Sequence, residues 1–106
     1  MKTVALALIG LALGVATASH AVGSSAAGVE IKEFKFAPTA LEIRPGTTVT
    51  WTNHDEETHT ITPTTGAFGS GGLGNDETFV QTFSRAGTYQ YFCALHPRMR
   101  ATVVVK

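Results

Sequence analysis

The chain has 106 residues, with eight Lys or Arg balanced by eight Asp or Glu, so its formal charge cancels at pH 7. That length gives one small domain of marginal stability. With no basic stripe and no basic amphipathic helix, neither nucleic acid nor a membrane surface is an expected partner, and a single cysteine excludes an internal disulfide.

The chain opens as a signal peptide. Lys2 is the charged start, residues 4–15 are an apolar run, and small residues follow. Ala16-Thr17-Ala18 and Ser19-His20-Ala21 are both acceptable cleavage signals, so cleavage is expected after Ala18 or Ala21. The run is shorter than the ~20 apolar residues of a membrane-spanning helix, which favours a cleaved signal over an uncleaved anchor, so no span is expected after cleavage. Residues 1–21 are therefore assigned to export, to the periplasm. Residues 22–28, Val-Gly-Ser-Ser-Ala-Ala-Gly, read as a flexible leader, and residues 29–106 as the folded domain.

From Val29 the pattern is that of strands. Val29 and Ile31 alternate, then Phe34 and Phe36 alternate on the other parity, which a bulge near Glu33 would reconcile within one strand. Leu41 and Ile43 begin a second strand. Arg44-Pro45-Gly46 is a turn, with Gly46 at positive φ if the turn is type II. Residues 47–53 form a strand with Val49 and Trp51 on one face, and residues 53–57 a polar loop. Residues 59–62 read as a short strand stopped by Pro63, and residues 66–74 as a glycine-rich surface loop. Residues 78–83 and 88–93 are strands around a turn at Arg85-Ala86-Gly87, and the Val-rich residues 101–105 close the domain.

No stretch keeps a 3.6-residue period over three turns. About seven to eight short strands with turn signals between them predict an all-β sandwich. The segment Phe83-x-x-Ala86-Gly87-x-Tyr89 resembles a tyrosine corner, in which the Tyr89 hydroxyl bonds the backbone a few residues upstream.

The chemistry gathers at Tyr91-Phe92-Cys93-Ala94-Leu95-His96-Pro97-Arg98-Met99, read as a strand end followed by a tight loop. Thiolate, imidazole and thioether in the order C-x₂-H-x₂-M are a soft donor set that selects copper over hard cations. Two His, one Cys and a weak axial Met make an electron-transfer copper site, so one more His is needed. The choice lies between His54 and His59. His59 opens a short strand where packing can fix its ring, whereas His54 lies in a loop with three consecutive acids, which favours His59. A free thiol in an exported protein is an oxidation liability that metal binding removes; a buried, inert Cys93 is the alternative.

Residues 29–106 resemble a cupredoxin, a small blue copper protein, and within that family the amicyanin and plastocyanin branch. The resemblance rests on Val49-x-Trp51 with His59 eight residues after the Trp, on Phe79-x-x-x-Phe83, on Gly87-x-Tyr89-x-Tyr91-x-Cys93, and on the short Cys93-x₂-His96-Pro97-x-Met99 loop. It implies a Greek-key β-sandwich holding one type 1 copper. His59, Cys93 and His96 would lie in the copper plane and Met99 would be axial. His96 would be the exposed ligand, ringed by apolar residues for which Leu95, Pro97, Phe68 and Leu73 are candidates. The family commonly has Asn directly after the first His, bonded to the loop that bears the Cys. Here Thr60 stands there, and Ala94 offers no side-chain partner. Phe92 stands where plastocyanins carry a Tyr on a second docking route.

The resulting expectation is a monomeric exported carrier, not an enzyme, that passes single electrons between redox partner proteins docking near His96. The alternatives are a periplasmic copper-handling protein and a metal-free interaction domain. Met99 as core filler, Cys93 with His96 as nucleophile and base, and a structural zinc site explain fewer of the residues. Gly69-Ser70-Gly71-Gly72-Leu73-Gly74 matches G-x-G-x-x-G but opens no helix, so a dinucleotide site is excluded. Asp55-Glu56-Glu57 and Asp76-Glu77 read as solvated loop charges, with docking of a basic partner as the alternative.

Overall fold

A computed structural model describes residues 25–106. The signal segment with its cleavage points, and the start of the leader, lie outside the described residues. Among the described residues there is no helix, and two four-stranded sheets face one another. The first sheet has the order β2-β1-β4-β6: β1 is Ala26–Lys32, β2 Lys35–Ala37, β4 Thr47–Asn53 and β6 Thr78–Phe83. The second has the order β3-β8-β7-β5: β3 is Ala40–Ile43, β5 Thr62–Pro63, β7 Gly87–Cys93 and β8 His96–Val105. The chain changes sheet at every step from β2 to β7, so most neighbours within a sheet are distant in sequence. β1 runs parallel to β4, and β3 parallel to β8. The expected all-β sandwich is the fold.

β4 shows how the sequence makes this core. Thr47, Val49, Trp51 and Asn53 are buried, and the residues between them are half-buried. That period of two is what a strand with one face on the core produces. Trp51 is wholly buried and packs on Phe68, Phe79, Phe83 and Tyr91, and its Nε1–H donates to the Tyr91 hydroxyl at 3.1 Å. Burying an aromatic side chain of this kind contributes about 1.5–3 kcal/mol. The opposite sheet supplies Ile43, Tyr91, Cys93, Ala101, Val103 and Val105.

The Arg44 turn forms as read: Thr47 N–H donates to Arg44 O at 3.2 Å, and Gly46 takes φ 92°. So does the tyrosine corner, with the Tyr89 hydroxyl donating to Arg85 O at 2.8 Å.

Three expectations change. Residues 29–36 are not one bulged strand. They form a hairpin in which Ile31 faces Phe36 and Lys32 faces Lys35, with Glu33 and Phe34 as the two turn residues. A two-residue turn also switches the parity of inward residues, so the pattern attributed to a bulge was a reversal. β1 takes in Ala26–Gly28 from the expected leader, because these residues find ladder partners in Thr48–Thr50 of β4. Residues 59–62 are not one strand stopped by Pro63: His59 lies in an isolated bridge to Leu73, and the strand is β5, in which Pro63 sits on the sheet edge, where a missing N–H is tolerated.

Candidate metal centre

β7 ends at Cys93 and β8 begins at His96, and the two residues pair across a turn made only of Ala94 and Leu95. The expected loop is therefore a tight hairpin, with His96 and Met99 both on a strand. Phe92 and Cys93 mark a register shift in the ladder, an irregularity that re-aims a side chain. Cys93 is wholly buried. Met99 is also buried, in the same apolar cluster, at the head of the inward series Met99, Ala101, Val103, Val105.

His59 arrives from the other side. It pairs with Leu73 of the glycine-rich loop through two backbone bonds, His59 N–H to Leu73 O at 3.1 Å and Leu73 N–H to His59 O at 2.7 Å. Two more bonds tie Ile61 to Ser70: Ser70 N–H to Ile61 O at 2.9 Å and Ile61 N–H to Ser70 Oγ at 2.8 Å. The glycine-rich loop is thus a wall behind His59.

The three donors converge. His59 Nδ1 lies 3.7 Å from Cys93 Sγ, and His96 Nδ1 lies 3.6 Å from the same sulfur. All three donor atoms lie within 4.8 Å of one another. An ion bonded to N and S at about 2.0–2.3 Å holds such donors roughly 3.5 Å apart. His59 Nε2 donates to Asp55 Oδ2 at 2.8 Å, which leaves the Nδ1 lone pair facing the sulfur. A carboxylate on the far nitrogen is the usual companion of a metal-binding histidine. The donor set and the tautomer therefore fit a single soft or borderline ion.

The site is tied by backbone groups that sequence reasoning did not weigh. Thr60 N–H donates to Cys93 Sγ at 3.3 Å, and Ala94 N–H donates to Thr60 Oγ1 at 2.8 Å. Thr60 therefore links the His59 segment to the Cys93 turn despite the missing Asn. The partner is the main chain of Ala94, which its methyl side chain does not reveal.

Other expected residues go elsewhere. His54 is exposed, outside the cluster, and bonded to Glu30. Phe68 stacks on Trp51 and meets Phe83 and Tyr89, and Leu73 is buried, so neither lies on an exposed rim around His96. Leu95, 56% exposed, and Pro97 do lie at the surface beside it. Phe34 was not anticipated: its ring sits edge-on to His96, with centroids 4.8 Å apart.

Asp55 is not a solvated charge. Its carboxylate accepts Glu33 N–H at 2.7 Å, Phe34 N–H at 2.9 Å and the His59 ring. Burial pushes the carboxyl up, but these donors outweigh it and hold Asp55 below the usual carboxylate range. Its place four residues before His59 was the available signal. Glu56, Glu57, Asp76 and Glu77 are exposed, as expected, and Glu77 also accepts Gly74 N–H at 2.7 Å.

The sequence matches the cupredoxin-like domain over residues 5–105. The chain belongs to the cupredoxin-like family. It is 34% identical to amicyanin of Paracoccus denitrificans over 94 residues, covering 84% of this chain and 72% of that protein. It is 31% identical to amicyanin-alpha of Methylorubrum extorquens over 106 residues, covering 91% and 85%. A Cu(I) amicyanin variant superposes with a TM-score of 0.73 at 31% identity, over 76% of this chain and 82% of that one. A purple cupredoxin from Nitrosopumilus maritimus superposes with a TM-score of 0.70 at 33% identity, over 76% and 99%. In this amicyanin-like cupredoxin the His59, Cys93 and His96 cluster, with Met99 buried nearby in the chain, fits a single type 1 copper site. Kinship and fold together support a blue copper electron-transfer protein, a carrier in kind.

Proposed function

We infer that this cupredoxin is an exported electron carrier in which His59, Cys93, His96 and Met99 hold one copper ion. Copper supplies a one-electron couple between Cu(I) and Cu(II). The protein's part is to hold the donors still. Cys93 and His96 are fixed by the β7–β8 ladder, and His59 by its bonds to Leu73 and Asp55. A site held by rigid elements meets both oxidation states with little rearrangement, which favours fast transfer. His96 is the half-buried member beside exposed Leu95 and Pro97, and this face is where a donor or acceptor protein would dock. Export to the periplasm follows from the apolar run and small residues of 1–21, removed at Ala18 or Ala21. The mature protein would act as a monomer.

The convergence of two Nδ1 atoms on Cys93 Sγ carries this reading. Its test is the visible spectrum of the mature protein with Cu(II), beside Cys93→Ser. An intense thiolate-to-copper charge-transfer band, lost in the variant, is expected. A weak or absent band in the parent protein would mean that Cys93 does not bind Cu(II), and the reading would fall.

A further inference from the structure

The β1–β2 hairpin turns through two residues at positive φ, Glu33 at 54° and Phe34 at 59°. Turns of this kind belong to Asn and Gly, which enter the left-handed region at little cost. A bulky side chain there is strained, and Phe34 is 42% exposed, so burial alone does not account for it. What offsets the strain lies outside the hairpin. Asp55 accepts both turn amides, and the oxygen that accepts Phe34 N–H also accepts His59 Nε2–H. The Phe34 ring stands edge-on to both imidazoles, 5.0 Å from His59 and 4.8 Å from His96, each at 86°.

The two histidines are not equally held. His59 is wholly buried, bonded through Nε2 to Asp55 and through its backbone to Leu73. His96 is half-buried, and among the described residues its ring makes one polar contact, with Cys93 Sγ. Its ring is held instead by packing, against the His59 ring at 5.0 Å and, from outside the donor set, against Phe34.

We propose that the Glu33-Phe34 turn is a clamp on the histidine pair, latched by Asp55, in which Phe34 is the positioning residue that keeps His96 turned toward Cys93. The clamp rests on the copper reading above for its purpose, but it acts on the metal-free protein too. One carboxylate sets both the ring of His59 and the turn that carries Phe34, so the two imidazoles are positioned together.

The test compares Phe34→Ala, Asp55→Ala and the double variant with the parent, and uses Val80→Ala, exposed on β6, as a control. Two quantities are read: Cu(I) transfer to a bicinchoninate chelator, and the order of the His96 ring by nuclear relaxation in the metal-free protein. Phe34→Ala is expected to speed Cu(I) loss about ten-fold and to loosen the His96 ring, as loss of a residue supporting a ligand does. Phe34→Tyr, which keeps the ring, should behave as the parent, and Val80→Ala should change nothing. The double variant should be no worse than the more affected single one, because latch and ring act as one unit. Unchanged His96 order and unchanged transfer in Phe34→Ala would overturn the clamp, as would independent, multiplying effects in the double variant. If Phe34→Ala does not fold, Phe34→Leu, which keeps bulk without a ring, is read by the same criteria. Failure of the parent to take up copper would sink the copper reading alone, and the metal-free His96 measurement would still decide the clamp.

Discussion

Asn53 is a wholly buried polar residue at the end of β4, and it joins the loops that flank His59. Its Nδ2 donates to Glu57 O at 2.8 Å and Leu73 O at 2.9 Å, and its Oδ1 accepts Asp55 N–H at 2.8 Å. Asn53→Ala would remove these bonds, leaving the Asp55 amide without its acceptor and Leu73 O with the His59 N–H alone. The expected loss is about 2–3 kcal/mol, read as a lower urea midpoint at constant slope. A loss within the scatter of surface substitutions would remove Asn53 from this role. Tyr91 gives a second measurable consequence. Burial pushes its phenol up to about 12, with the Trp51 N–H lowering it only in part. The folded value lies above the ordinary 10.0, so this contribution is whole below pH 10 and is lost as pH rises toward 12. Thermal melts across that window should show the parent losing stability more steeply than Tyr91→Phe. Equal slopes would mean that the phenol does not drive the alkaline limb.

At the scale of elements, the β7–β8 hairpin brings Cys93 and His96 together by ladder pairing, and Met99 stays on the inward parity of β8. The grouping of these donors was legible from their spacing, but as a tight loop after a strand; the pairing that makes it a hairpin was not, and neither was the β1–β2 hairpin. Its turn residues, Glu33 and Phe34, are ones that no turn rule would select, because the interactions stabilising the turn come from Asp55, more than twenty residues away. Tyr89 was legible from its local motif, since its hydroxyl reaches only to Arg85 O. Tyr89→Phe is expected to cost about 1 kcal/mol in unfolding free energy while leaving the charge-transfer band unchanged. The corner sits four residues before Cys93, roughly 13 Å along the strand. A shifted band would show that the corner also sets the site.

For the whole molecule, the apolar core spans both sheets. Val29, Ile31, Val49, Trp51, Ile61 and Val103 are wholly buried in it. Metal-free protein should therefore stay folded, with native near-ultraviolet dichroism, and melt below the copper-loaded form. Copper adds stability by mass action, because it binds the folded state. Cys93→Ser should gain less from added copper than the parent does. A metal-free protein that is unfolded would show instead that the ion, not the sandwich, organises the donors.

An all-β fold, the set of candidate donors and the preference for His59 over His54 could all be read along the chain. These depend on the period of two, on donor softness and on the count of each residue type, which are local or additive properties. Asp55 behind His59, Phe34 across both imidazoles, Asn53 between two loops and Thr60 on the Ala94 amide became visible only in the folded chain. Each is a contact between segments brought together by crossings from one sheet to the other, often through main-chain groups that every residue carries. Sequence marks which side chains can bind a metal; the packing of distant loops decides which of them are held in place to do so.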